Sequence, residues 1–301
     1  MLESRKSHPA ITVMTLTAVA GVALASVSTA AQAPPSLDEL LARVGKGIEE
    51  LYQQAQHVIC IEKSTVQPIE RDRTSQGFAR IVESELRVEA GGGSDAGDEA
   101  TIVREVLKVN GRAPRENDKK DRAGCTDPNP LSPVPLAFLL PAHRDEYRFT
   151  FAGSGMDRNQ PVFLIDFASA DRRSHAELIE DPNGHDDCFD WSGEVASRGR
   201  IWVDAKTFDV VRIERGLPSM LDISVPRRIQ VRHHLERFVV IDREDTTIRY
   251  KRVAFSDPDE VLLLPESIET LIITRGDLQS SRRTQTYSDY RRFVGAAKIV
   301  E

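Results

Sequence analysis

The sequence lacks the usual signatures of catalysis. It has no Walker loop, no G-x-G-x-x-G after a strand-like run and no H-E-x-x-H, so the common nucleotide and metalloprotease sites have no sequence support. Gly153-Ser154-Gly155 is not a G-x-S-x-G elbow, and no Cys-His pair sits in a recognisable motif. Catalytic groups drawn from distant positions leave no such trace, so a hydrolase stays open as a third reading behind two kinds of binding protein. Cysteine is scarce as well, with three in 301 residues. No internal repeat occurs, and after the first few dozen residues there is no long apolar run. A charged content of 29% argues against any membrane span beyond that opening segment.

What opens the chain is a basic head with Arg5, Lys6 and His8, an uncharged run from Ile11 to Val27, and Ala31-Gln32-Ala33 before Pro34-Pro35. That order is a secretory signal peptide. A membrane anchor is the competing reading, but the run is diluted by Thr12, Thr15, Thr17, Ser26, Ser28 and Thr29, whereas a span wants about 20 strongly apolar residues. Cleavage after Ala33 is expected, giving residues 1–33 as signal and 34–301 as a single domain, with no transmembrane anchor left. The first cysteine is Cys60, so no lipoprotein anchor is available at the mature start. The removed segment carries net +1, which takes the formal charge of −7 to −8 over the remaining 268 residues. Acidic and basic residues are mixed along them, so nucleic acid is excluded as a partner. The expected location is the periplasm, with the extracellular space as an alternative.

Three cysteines in an exported chain allow one disulfide, with three pairings. Cys60 lies in the apolar run Val58-Ile59-Cys60-Ile61 and reads as a buried thiol. Cys125 and Cys188 lie in loop-like segments and are the disulfide candidates. The cluster Asp181 to Asp190 around Cys188 has Gly184 at the fourth position, where a calcium loop needs it at the sixth. His185 and Cys188 lack further zinc ligands nearby, since His233-His234 are distant. The expectation is an acidic turn, with no metal and no cofactor.

Ser36-Leu37-Asp38-Glu39 has the form of a capping box. Leu37, Leu40, Leu41, Val44, Ile48, Leu51 and Tyr52 then follow one helical stripe. Gly45 and Gly47 weaken this helix by up to about 1 kcal/mol each, so its packing partner must supply the stability. Beyond Cys60 the pattern is short β-type runs separated by turns. Asn110-Gly111 after Val106 to Val109 signals a hairpin. Tyr147, Phe149 and Phe151 alternate with polar residues, Gly153 to Gln160 reads as a turn, and Val162 to Phe167 is apolar on both faces. Ile201 to Asp204 and Val210 to Ile213 flank a turn; Thr246 to Phe255, Ser267 to Thr274 and Ser281 to Tyr290 complete an antiparallel meander. Within Thr246 to Phe255 the apolar positions change parity, from Ile248 and Tyr250 to Val253 and Phe255, as a one-residue bulge would produce. The fold class is mainly β: a curved antiparallel sheet forming a half-open barrel, with an N-terminal helix and short helices on its concave side.

Leu131 to Pro141 is apolar but punctuated by three prolines, so only one or two helical turns can form. Next to a curved sheet such a segment is either a plug of ordinary core or a lid over a pocket. As a lid, Leu136, Phe138, Leu139 and Leu140 would serve binding as well as packing and stay partly exposed.

The run Gly199-Arg200-Ile201-Trp202-Val203-Asp204, its turn, and Val210-Val211-Arg212-Ile213-Glu214 resembles the central hairpin of the outer-membrane lipoprotein-sorting superfamily, which comprises periplasmic lipoprotein carriers and related sigma-factor regulators. Leu263 to Glu269 and Tyr287 to Phe293 are similar to the closing strands of uncharacterised exported members. The resemblance covers about a third of the mature chain by eye and implies the half-open barrel and, in the carriers, a cavity holding acyl chains. The expected function is a non-catalytic periplasmic binding protein. Its partner would be an apolar ligand or lipidated protein, bound near Leu136, Phe138, Leu139, Leu140 and Trp202. The alternative is an envelope interaction or regulatory module that binds a protein partner without a filled cavity.

Overall fold

The computed structural model describes residues 35–54, 58–89, 101–115, 134–180, 189–276 and 278–292. By its contacts the chain divides into Met1–Pro35 and Ser36–Glu301, and the architecture is that of the second unit. Ser36 caps helix α1 (Leu37–Gln54), its Oγ accepting from the Glu39 backbone N–H at 3.2 Å, while the Glu39 carboxylate pairs with Arg43 one turn on. The buried stripe is the expected one: Leu40, Leu41, Val44 and Ile48 are all in the core.

Among the described residues thirteen strands follow: β1 (Val58–Pro68), β2 (Arg80–Glu89), β3 (Thr101–Val109), β4 (Tyr147–Asp157), β5 (Gln160–Ser169), β6 (His175–Glu180), β7 (Phe189–Glu194), β8 (Arg198–Asp204), β9 (Val210–Gly216), β10 (Leu221–Ser224), β11 (Phe238–Ser256), β12 (Asp259–Arg275) and β13 (Ser281–Arg292). The main path runs β3-β2-β1-β13-β12-β11-β9-β8-β5-β4. Most neighbours on the path are consecutive strands joined as hairpins, β5 pairs instead with β8 and β9 with β11, and the last strand pairs with the first, Glu62 opposite Tyr287 and Ser64 opposite Gln285. The sheet stays open, with β3 and β4 at the ends of the path. That is the half-open barrel expected from the meander. A side branch, β10-β6-β7, hangs from the start of β11 and includes one parallel pairing, Ile223 to Ala176, which alternation alone does not reveal. Helix α2 (Arg227–His233) packs Ile229 into the small core of that branch.

Several local expectations are corrected. Asn110 and Gly111 both adopt positive φ, 49° and 78°, as a tight turn requires, but among the described residues the returning chain makes only a bridge from Arg112 to Val109. Arg112-Ala113-Pro114 has no apolar run to continue a ladder. Gly153-Ser154-Gly155 belongs to β4, where a bulge between Phe151 and Gly153 takes φ to 109° at Gly153. The turn lies later, at Arg158-Asn159, both at positive φ. The parity change in β11 is present, with a register slip between Arg249 and Tyr250, but the extra residue is Glu266 on β12. Ile248 before the slip and Tyr250 directly after it both join the main core. Further along, Phe255 and Val253 join a separate cluster with Val58, Leu262 and Leu264.

Candidate functional site

The concave face is an apolar wall built by alternation. Ile165 and Phe167 of β5, Ile201 and Val203 of β8, Ile213 of β9, Ile248 and Tyr250 of β11, and Ile268 of β12 all point into one core. Two short elements cover it together with α1: a 3-10 helix at Val134–Leu139 and a second at Pro141–Glu146. Pro141 ends the first, as expected, and sits in the first turn of the second, where its missing N–H has no partner to lose. Leu136 and Leu139 are 1% and 0% exposed and Phe138 is 8% exposed, so these three are packed as completely as any strand residue. Leu140 is half-buried against the same core. Phe138 holds its place by ring contacts, with centroids 4.7 Å from Phe167 and 5.2 Å from Tyr147.

One side chain ties the cover together. Arg144 donates from Nε to the Leu139 carbonyl at 3.0 Å and from Nη2 to the Leu41 carbonyl of α1. Burial draws its guanidinium below the ordinary value, countered by Glu49 and Asp38. A Cβ on Gly45 would collide with that guanidinium. Gly45 therefore weakens α1 in isolation but admits the group that joins α1 to the cover. Gly47 has open space around it.

Towards β1, β2 and β13 the concave face turns polar while remaining buried. Cys60, Glu62 and Ser64 of β1 point inward in alternation, flanked by Ser84 and Leu86 of β2 and by Gln285 and Tyr287 of β13. The Glu62 carboxylate is fully buried and receives four hydrogen bonds: Arg104 Nε at 2.9 Å and Nη2 at 3.4 Å, Gln285 Nε2 at 2.9 Å and the Tyr287 hydroxyl at 3.3 Å. Burial, reinforced by Glu62, pushes the Cys60 thiol up to about 12 and the Tyr287 phenol well above its ordinary value. Neither is poised to act as a nucleophile or base at neutral pH. Pattern reading passed over this cluster. The period-2 series Cys60, Glu62, Ser64 was its only trace.

Trp202 lies elsewhere. Its neighbours Ile201 and Val203 point into the core, so Trp202 faces the opposite side of the sheet, where Arg212 stacks on its ring at 4.3 Å. There it borders an open trough of about 740 Å³ lined also by Asp166, Arg200, Glu214, Arg243 and Asp245. Their charges are largely paired among themselves, Arg200 with Asp166 and Arg243 with Asp245. The sequence had grouped Trp202 with the cover residues; the strand places it back to back with them. Cys125, Cys188 and the acidic segment 181–188 lie outside the described residues. Among the described residues no group of three or more His, Cys, Asp or Glu could hold a metal ion, and no helix is long and apolar enough to cross a membrane.

No protein-family profile and no curated protein matches this chain. Solved structures of the lipoprotein-sorting type are similar to it. A domain from Vibrio parahaemolyticus described as an outer membrane lipoprotein-sorting protein is 10% identical, over 87% of this chain and 95% of that one, with a TM-score of 0.40. A LolA superfamily protein from Nitrosomonas europaea is 10% identical over 88% and 97%, with a TM-score of 0.34. The MucA/MucB complex of Pseudomonas aeruginosa gives 8% over 85% and 99%, with a TM-score of 0.20. At these values the likenesses carry nothing about what this chain binds.

Proposed function

We propose that the protein is a non-catalytic binding protein of the cell envelope that takes an apolar ligand, a lipid or the acyl chains of a lipidated protein, against the concave face of its sheet. The observation that supports this is the manner of closure. A continuous apolar wall is covered by one helix and two 3-10 turns, joined by packing and by the hydrogen bonds of Arg144. Moving the cover aside uncovers Leu136, Phe138 and Leu139, at about 2 kcal/mol each or about 6 kcal/mol in all. An acyl chain laid in their place returns about 0.8 kcal/mol per CH₂, so a chain of about eight carbons offsets the opening. A small polar ligand does not. Uptake of the probe N-phenylnaphthylamine tests this: its fluorescence is expected to rise with the protein and to rise further with Arg144→Gln. No uptake by either protein would contradict it.

A second reading rests on the open sheet. Strand β4 closes the main path with eleven residues and, among the described residues, only β5 beside it, and Met156 on it is 64% exposed. Such an edge can accept a strand from a protein partner. Cross-linking in the periplasm separates the two, because edge docking yields one defined protein adduct that is indifferent to Arg144→Gln.

A further inference from the structure

Three buried polar atoms of the concave face have no hydrogen-bond partner: Ser64 Oγ, Ser84 Oγ and Gln285 Oε1. Their residues are 1%, 1% and 0% exposed. They are neighbours. Gln285 stands directly opposite Ser64 across β13 and β1, and Ser84 stands opposite Glu62, the next inward residue along β1. Directly opposed side chains have Cβ atoms about 4.5 to 5.5 Å apart. Each buried orphan costs about 1 to 3 kcal/mol, and native proteins leave few of them. Three in one patch of adjoining ladder positions mark a place where a polar guest would find partners.

We propose that Ser64, Ser84 and Gln285 form a cradle for the uncharged polar head of an amphiphile, a polyol or amide bearing O–H or N–H donors, whose chain lies along the apolar wall. The chemistry of the donors and acceptors selects this class. An amide oxygen only accepts, so the guest must donate to Gln285; serine hydroxyls both donate and accept, so they suit a hydroxyl or amide. Charge selects it too. Glu62 is neutralised by Arg104 and fully bonded, and Arg283 and Arg80, which flank Val66 in the adjoining row, already have partners of their own. Neither of these two arginines belongs to the patch, whose own polar groups at Ser64, Ser84 and Gln285 are all uncharged. Position links head to chain, since Gln285 pairs with Ile268, and both Ile268 and Tyr287 belong to the apolar core.

This inference rests on the binding reading above and deepens it. The test displaces N-phenylnaphthylamine with two uncharged esters of one acyl chain: monolauroylglycerol, with two free hydroxyls, and methyl laurate, with none. Monolauroylglycerol is expected to bind about tenfold tighter, the worth of one hydrogen bond of about 1.4 kcal/mol. The double variant Ser64→Ala, Ser84→Ala should abolish that preference and leave methyl laurate unchanged. Its melting midpoint without ligand should not fall, because it removes orphans and no native bond. If the esters bind alike and the variant changes neither, buried water alone fills the cradle and this inference fails while the binding reading stands. A fall in the midpoint would mean that the hydroxyls serve the fold, and would also overturn it. If neither the probe nor either ester binds, the binding reading itself has failed.

Discussion

Replacing Leu139 by alanine removes a side chain that is 0% exposed, as is that of Ile165. In a core, such truncations cost about 2 to 5 kcal/mol. Ile165 lies in β5, bonded to β4 on one side and β8 on the other, so its cavity cannot be relieved without undoing the sheet. A loss of about 3 kcal/mol there lowers the melting midpoint of a domain this size by about 6 to 12 °C. Leu139 lies in a 3-10 turn held to α1 through Arg144 and by packing. Its cavity can be relieved by the cover coming away, a local opening that leaves the ladders intact. The drop for Leu139→Ala is therefore expected to be less than half that for Ile165→Ala, and Phe138→Ala should behave like Leu139→Ala. Hydrogen exchange read by mass spectrometry should rise across Val134–Glu146 and α1 in Leu139→Ala, but not in Ile165→Ala. Equal drops with unchanged local exchange would refute the reasoning and make the segment a plug of ordinary core.

Gly45→Ala puts a methyl group where the Arg144 guanidinium lies; probe uptake should rise as it does for Arg144→Gln even though alanine favours the helix by up to about 1 kcal/mol. Alkaline stability follows from Cys60, whose thiol is raised from 9.0 to about 12 in the fold. A raised pKa means that the unfolded chain loses its proton first, so the contribution is whole below pH 9 and is lost as pH climbs from 9 towards 12. Urea midpoints at pH 8 and 10 should show this fall, and Cys60→Ala should shallow it. In non-reducing peptide maps of protein recovered from the periplasm, Cys125 is expected to be joined to Cys188 with Cys60 left as a thiol; a bridge to Cys60 would contradict its burial.

What could be read from the sequence was whatever repeats. Helical spacing placed α1 and its buried stripe, alternation placed the hairpin of β8 and β9, and a change of parity located the irregularity opposite Glu266. Single long-range meetings left no such mark. Nothing near Arg144 in the chain points to Leu41, 103 residues earlier, and nothing in Gly45 says that its missing Cβ is a berth for a guanidinium rather than a weakness. The Glu62 cluster joins β1, β3 and β13 over a separation of 223 residues between Glu62 and Gln285. Only the pairing of the last strand with the first brings them together. Trp202 shows the converse: a conspicuous residue type drew it into the pocket, while simple alternation with Ile201 and Val203 turns it away.

Native mass spectrometry of protein purified from the periplasm without detergent tests the central claim most directly. The account predicts a fraction of the protein carrying added mass that matches a lipid or an acyl-bearing molecule, a fraction that grows on incubation with monolauroylglycerol. A single apo mass, with nothing retained and nothing taken up, would contradict it.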